Sequence, residues 1–371
     1  MKPADLIYAA SEHNADMLYA TGFRAPDAFI YFKTNSETGM VMSALEQDRA
    51  AKEAKTGINI YSTSEFANDK SAKMLDIISG LAKNKKIKVF RVPANFPLGL
   101  ADQLRGAGYK VSPEEKKFFP EREFKNSQEV DKVTAALRIT ENGMRRAHTM
   151  LQESDIDKTG QLIWNGKILT SEILRAEINI ELIRGGAMPD ATIVACGTDG
   201  ADPHNLGSGP IEANKTIIID IFPRVTDTGY WGDLTRTFVK GTAPDLVKRA
   251  YDAVFAAREH AKPLIKAGAV PSEIHNAAKA VLDKHGFETG RKDNNNYGFF
   301  HGLGHGVGLE IHEAPRLSPA NNIPLQGGEI ATVEPGVYYQ EWGGIRLEDM
   351  VAVESNGCRC LTEIENILEV K

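Results

Sequence analysis

The sequence predicts an α+β chain in two parts. A smaller α/β segment covers residues 1–121, and a larger segment, residues 122–371, packs helices outside a curved antiparallel sheet. Three observations lead there. Strand-like runs in the second half follow one another as hairpins, and segments with apolar residues at helical spacing lie between them. A charged stretch with a helix-breaking proline, Phe119-Pro120-Glu-Arg-Glu-Phe124, separates the two parts.

In the first segment, Asp27-Ala-Phe-Ile-Tyr-Phe32 and Met40-Val-Met-Ser43 read as two short strands around a turn. Residues 86–92 alternate with period two, as a half-buried strand does. Residues 69–81 place Met74, Leu75, Ile77, Ile78 and Leu81 on one face of a helix. No cluster of catalytic residue types falls in this segment, which reads as a supporting domain.

The second segment opens on Ser127, an N-cap candidate. Val130, Val133, Leu137, Met144, Ala147 and Leu151 then form the stripe of a long amphipathic helix. Further helices fit residues 171–183 and 244–266. Pro271 and Ser272 open another, with Ile274, Ala278, Val281 and Leu282 on its apolar face and Gly286 past its end. Strands fit residues 216–222, 230–239, 329–333 and 344–353.

Composition narrows the classes. Of 371 residues 42% are hydrophobic and 25% charged, the mixture of an ordinary soluble chain, which excludes disorder. A net charge of −6 and a pI near 5.9 supply no drive toward nucleic acid. No apolar run approaches the ~18 residues of a membrane span, and residues 1–20 lack the layout of a signal peptide. A cytoplasmic enzyme or binding protein is expected. The three cysteines, Cys196, Cys358 and Cys360, do not suit a stapled secreted fold. Cys358 and Cys360 could form a metal or redox pair, but no second Cys or His pair lies nearby, so all three read as structural.

Four carboxylates and a group of histidines carry the chemistry. Asp220 sits inside the apolar run Thr216-Ile-Ile-Ile-Asp-Ile-Phe222, where an ionised acid needs a compensating cation. The alternative is a strand-end acid capping a turn. A hairpin through Thr226-Asp-Thr-Gly229 would bring Asp233 of Gly232-Asp-Leu-Thr-Arg-Thr237 beside Asp220, and two such charges repel unless a multivalent cation holds them. Arg236 could instead pair with Asp233. Between His301 and His312, glycines recur every second residue from 302 to 308. At about 1 kcal/mol each they exclude a helical zinc motif. In an extended chain His301 and His305 share a face, with glycine on the other face admitting a second backbone. A bend past the glycines could turn His312 inward. Glu334 ends an apolar strand before Pro335-Gly336, and Arg346 and Glu348 share a face of the last strand, where a surface ion pair is the alternative. Asp220, Asp233, His305, Glu334 and Glu348 make a hard, oxygen-rich donor set, suited to a pair of divalent ions such as Mn²⁺, Co²⁺ or Fe²⁺, or to Zn²⁺. Two such ions about 3.5–4 Å apart, bridged by carboxylates and a hydroxide, form a hydrolytic centre.

The blocks Asp202-Pro-His204, Ile217-Ile-Ile-Asp-Ile-Phe222, Gly232-Asp-Leu-Thr-Arg-Thr237, His301-Gly-Leu-Gly-His-Gly-Val-Gly-Leu-Glu-Ile-His-Glu313, Thr332-Val-Glu-Pro-Gly-Val-Tyr338 and Gly344-Ile-Arg-Leu-Glu-Asp-Met-Val351 occur in one order. In that order the chain resembles the metallopeptidases of the pita-bread fold: Xaa-Pro aminopeptidases, prolidases and methionine aminopeptidases. Met17-Leu-Tyr-Ala-Thr-Gly-Phe23 is similar to the extra, creatinase-like N-terminal domain of the proline-directed members. The resemblance implies that Asp220 is terminal on one metal, that Asp233 and Glu348 bridge both, and that His305 and Glu334 bind the other. It implies Glu334 as general base, His204 and His312 at the scissile carbonyl, His301 beside the prolyl residue, and Arg346 orienting Glu348.

Those roles imply a dinuclear, manganese-favouring exopeptidase for Xaa-Pro bonds, with the aminopeptidase preferred to the dipeptidase, a peptide with proline second as substrate, and a homodimer. Two departures stand out: Phe222-Pro-Arg224 where a glycine-containing turn is commoner, implying a lengthened hairpin tip, and Gly232 where serine often precedes the bridging acid. Arg224 could reach a substrate terminus or be a solvated turn residue. A metal-free creatinase-like amidinohydrolase and a non-catalytic binding module are the rival readings. Both predict a broken ligand set, and all five positions keep metal-binding side chains.

Overall fold

In the computed structural model, which describes residues 3–67 and 71–371, the chain divides into two compact units, Met1–Arg122 and Glu123–Lys371. The first unit runs β1 (Ala4–Ala9), α1 (Ala15–Thr21), β2 (Phe29–Lys33), β3 (Thr38–Met42), α2 (Ala44–Glu53), β4 (Ile58–Ser62), α3 (Met74–Asn84), β5 (Val89–Val92), α4 (Leu98–Gly106) and β6 (Lys110–Pro113). Its strands form one six-stranded sheet in the order β4-β3-β2-β1-β5-β6. Period-two alternation sends neighbouring side chains to opposite faces. Leu6, Ile30 and Phe32 pack against Ile78 and Leu81 of α3, while Ile7, Phe29 and Tyr31 pack with Met17 of α1 and Phe118. Of the helix expected over residues 69–81, positions 69 and 70 lie outside the described residues.

The second unit opens with the 27-residue α5 (Ser127–Glu153). Its N-cap is Asn126, not Ser127: the Asn126 side chain accepts from Glu129 N at 3.0 Å, and Glu129 returns the bond to Asn126 N at 3.0 Å. Asparagine caps as well as serine, and only position 126 has its acidic partner three residues on. Asn126→Ala should cost ~1 kcal/mol, read as a lower denaturation midpoint at unchanged slope.

A small sheet of β7 (Asp155–Ile156), β8 (Leu162–Trp164) and β9 (Lys167–Ile168) follows, then α6 (Ser171–Arg184), β10 (Ala187–Met188) and β11 (Ile193–Cys196). The chain continues through β12 (Ile217–Ile221), β13 (Arg224–Val225), β14 (Leu234–Lys240), α7 (Asp245–Ala261) and α8 (Pro271–Lys284). After a hairpin of β15 (Gly290–Lys292) and β16 (Asn295–Tyr297) come β17 (Gly304–Gly306), β18 (Glu313–Leu317), β19 (Ile330–Val333), β20 (Gly336–Tyr339), β21 (Gly343–Arg346), β22 (Asp349–Val353), β23 (Cys358–Cys360) and β24 (Glu369–Val370).

Two sheets carry the unit, β11-β12-β14-β24 and β18-β17-β19-β22-β23. α7 and α8 bury Val254, Ala257, Ile274 and Leu282 against Val333, Val337, Ile345 and Val351. The segment expected as one strand over residues 344–353 is two: β21 pairs with β20, β22 pairs with β19, and the break falls at Leu347-Glu348. No helix of the described residues is long and apolar enough to cross a membrane.

Candidate metal centre

Four strand ends bring the acids together. In the β12–β14 ladder Asp220 lies opposite Thr235 and Ile221 opposite Leu234, so Asp220, Asp233 and Thr235 share a face. In the β19–β22 ladder Val333 lies opposite Asp349. The next pair outward is Glu334 and Glu348, leaving side by side at the open end. Glu348 N donates to Thr235 O at 3.1 Å, and this bond joins the two ladders.

His305 enters from β17. Its N–H donates to Thr332 Oγ1 at 3.0 Å. Gly304 lets the strand come that close, because a Cβ there would lie 1.9 Å from Thr332 O. The opposite side of the hairpin is equally tight. A Cβ on Gly232 would lie 2.3 Å from Thr140 Oγ1 of α5, which explains glycine before Asp233.

The ligand atoms of Asp233, His305 and Glu348 all lie within 4.8 Å of one another, and all three residues are buried. His305 Nε2 is 3.6 Å from Asp233 Oδ2 and 3.3 Å from Glu334 Oε1. Burial, and next the charges of Glu348, Asp220 and Glu334, push the Asp233 carboxyl well above the usual carboxylate range. Burial and then Glu334 and Asp220 do the same to Glu348. Burial drives Glu334 up to about 8, with Arg346 opposing it. Burial and then His312 take His305 down to about 3, so the imidazole is neutral and its nitrogen can bind a metal.

Crowded buried acids beside a neutral imidazole fit a cation-holding set. Asp220 adds the sharpest sign: its Oδ1 is buried and has no hydrogen-bond partner among the described residues.

Arg346 departs from its expected partner. Its Nη2 donates to Asp220 Oδ2 at 2.7 Å, Nη1 to Tyr338 Oη at 2.9 Å and Nε to Thr235 Oγ1 at 3.3 Å. Thr235 in turn donates to Glu348 Oε2 at 2.9 Å. Arg346 therefore orients Asp220 directly, and its hydrogen bonds reach Glu348 through Thr235. The pairing of Arg236 with Asp233 does not form, since Arg236 points to the reverse face and Asp349.

The cluster opens onto a cavity of ≈ 590 Å³, lined also by His204, His301, His312 and Arg316. His312 stands edge-on to His305 with ring centroids 4.4 Å apart. His301 Nε2 lies 3.0 Å from Tyr338 Oη and its Nδ1 2.8 Å from Gly302 O. The described residues thus place every site residue expected from sequence around one cavity. Sequence reasoning missed Thr235, Thr332, Tyr338 and Arg316. The first three stand inside the blocks quoted for the resemblance, and Arg316 stands four residues past His312. Arg224, considered for a substrate terminus or a solvated turn, donates through Nε to Gly229 O of the turn at 3.1 Å.

The chain is 36% identical to the Xaa-Pro dipeptidase of Pyrococcus furiosus over 178 residues, 48% of each chain. It is 29% identical to the putative dipeptidase YkvY of Bacillus subtilis over 296 residues, 78% of this chain and 75% of that one. It spans about half, 48%, of the length of the Xaa-Pro dipeptidases from both Pyrococcus furiosus and Pyrococcus horikoshii. Among solved structures, the X-Pro aminopeptidase of Thermotoga maritima superposes with a TM-score of 0.84 at 24% identity, covering 99% of this chain and 97% of that one. The prolidase of Pyrococcus furiosus gives 0.80 at 23%, covering 98% and 97%. These likenesses show the fold, the α+β pita-bread fold expected from the sequence. Residues 131–355, more than half of the chain, match the Peptidase_M24 family, and the chain belongs to metallopeptidase family M24.

Proposed function

We propose that this chain is a metal-dependent exopeptidase that hydrolyses the bond before proline, acting on Xaa-Pro dipeptides in preference to longer peptides. The observation that carries the reading is a buried acid cluster opening onto a cavity whose lining includes a cation, Arg316. A dipeptide ends in a carboxylate directly after the prolyl ring, whereas a longer peptide has an amide there. A guanidinium recognises the carboxylate and gains little from the amide. Arg316 pairs in register with His305, so it stands one strand from that imidazole, on the edge of the sheet that carries Glu334 and Glu348.

In this reading Asp220, Asp233, His305, Glu334 and Glu348 hold two divalent ions, Mn²⁺ suiting a donor set rich in carboxylate oxygen. The chemistry supplied by that pair when bound is Lewis acidity at the scissile carbonyl and acidification of the attacking water. Glu334, with its side chain 18% exposed, is more open than Asp220 at 13%. It takes the proton of the attacking water and returns it to the proline nitrogen, which must be protonated to leave. His204 and His312 face the same cavity and donate to the carbonyl oxygen as charge develops on it. His301 bounds the prolyl ring. The unit over Met1–Arg122 is a supporting domain.

Incubation with Mn²⁺ and paired Xaa-Pro dipeptides and Xaa-Pro-Yaa tripeptides tests the proposal. The dipeptides should be cleaved with the higher kcat/KM. Arg316→Ala should raise their KM about tenfold (~1.4 kcal/mol) with kcat little changed. Equal cleavage of both lengths, unaffected by Arg316→Ala, would reject the dipeptide preference. Cleavage confined to peptides without proline in second place would reject the bond.

A further inference from the structure

The largest fully buried side chains of the chain include Arg236 and Arg258, both 1% exposed. Neither touches the cavity. They meet on the reverse face of β22, where Asp349 points away from the centre that Glu348, its neighbour in sequence, points into. Asp349 Oδ1 accepts from Arg236 Nη2 at 3.0 Å and Arg258 Nη1 at 3.4 Å. Oδ2 accepts from Lys262 Nζ at 3.0 Å and lies 3.3 Å from Arg258 Nε. One carboxylate is thus enclosed by three cations from three places: β14, α7 and the turn that follows α7.

So dense a cluster of buried charge needs a reason, because apolar packing of similar volume is often at least as stable. Arg236 supplies one. Besides Asp349, it donates through Nη1 to the backbone carbonyls of Glu348 and of Thr235. The Glu348 N–H is taken by Thr235 O, and the Glu348 carboxylate by Thr235 Oγ1. Every polar group of Glu348 except its outward carboxylate oxygen is therefore tied to two adjacent residues of β14, the strand that follows Asp233. This is also the point where β21 ends and β22 begins, so no continuous ladder holds the main chain there.

We propose that Asp349, gripped by Arg236, Arg258 and Lys262, is a positioning residue. It locks the strand break at Leu347-Glu348 to β14, and so sets the spacing of the Glu348 carboxylate from Asp233. The inference rests on the metal-centre reading above and adds to it residues that touch neither metal nor substrate.

The test uses the full chain, stripped of metal and titrated with Co²⁺, whose visible absorption reports coordination geometry. Two variants are compared with wild type. Arg236→Lys keeps the charge facing Asp349 but cannot fork to the Glu348 carbonyl, and Asp349→Asn keeps the shape but loses the charge. The expected result for Arg236→Lys is a Co²⁺ affinity about 10–100-fold weaker, an altered absorption band, and a lower kcat at similar KM, while the metal-free melting temperature stays close to wild type. Co²⁺ affinity within twofold of wild type and an unchanged band would overturn the inference. So would an affinity loss in Arg236→Lys that merely tracks a falling metal-free melting temperature, as Asp349→Asn would also show. If Asp349→Asn does not fold, Arg236→Lys alone decides between these outcomes. Failure of the wild type itself to bind Co²⁺ would instead overturn the metal-centre reading, and the inference with it.

Discussion

Replacing Glu348 by glutamine is expected to abolish Mn²⁺ binding and lower kcat by about 10³-fold or more, ~4 kcal/mol of transition-state stabilisation, while making the metal-free protein more stable. The two effects have one cause. Glu348 is 2% exposed and Asp233 4%, and each carboxyl is pushed upward by burial and by the neighbouring acids. Without a cation these charges oppose folding; in the proposed centre a bound cation would offset them. Glutamine keeps an oxygen for the Thr235 hydroxyl at the position of Oε2 and removes only the charge. Thermal melts with and without Mn²⁺ check both halves. Wild type should gain stability on metal addition, ~2.7 kcal/mol at a hundredfold excess over Kd. The variant should start higher and gain nothing. A variant that binds its full metal complement, or melts lower than wild type without metal, contradicts the account.

Gly304→Ala should be the most damaging of single-methyl insertions near the site. The new Cβ would lie 1.9 Å from Thr332 O, a backbone atom that cannot swing aside. β17 must then separate from the neighbouring strand, at a cost of ~1–3 kcal/mol or more, which lowers the melting temperature by roughly 2–4 °C per kcal/mol. The movement also displaces His305 and loosens the bond from Glu334 N to Leu303 O, now 2.8 Å, so metal affinity falls as well. Gly357→Ala is the matching control, since nothing lies within 4 Å of its added Cβ. Equal melting temperatures for the two variants would show that the close strand approach is not required.

Helices and strands of the second unit were legible because their apolar residues recur with the period of the element. Of the stripe read from Val130 to Leu151, Val133, Leu137, Met144, Ala147 and Leu151 are buried, while Val130 in the first turn is half-buried. The acids were legible for a different reason: an acid inside an apolar run demands a partner. What could not be read was which partner. Arg346 shares a strand face with Glu348 in the sequence, yet its guanidinium closes on Asp220, 126 residues away. Local alternation fixes a side chain's face but carries no record of which distant strand arrives there. The split of residues 344–353 was hidden likewise, because Leu347 keeps the alternation across a break that only the pairing partners reveal. Thr235, Thr332 and Tyr338 look like ordinary strand residues until the ladders put their hydroxyls beside acids and imidazoles.

The contacts of His301 settle where its single proton resides. Arg346 can only donate, so Tyr338 receives from it and has its own hydroxyl hydrogen left for His301 Nε2. The Gly302 carbonyl can only accept, so Nδ1 carries the hydrogen that goes to it, and on a neutral ring Nε2 is the lone-pair end that takes the tyrosine hydrogen. Burial holds the ring neutral, which agrees. With both nitrogens committed to the protein, the imidazole has no donor or acceptor to offer a guest. Toward the cavity it presents carbon surface, which suits an apolar contact better than a polar one.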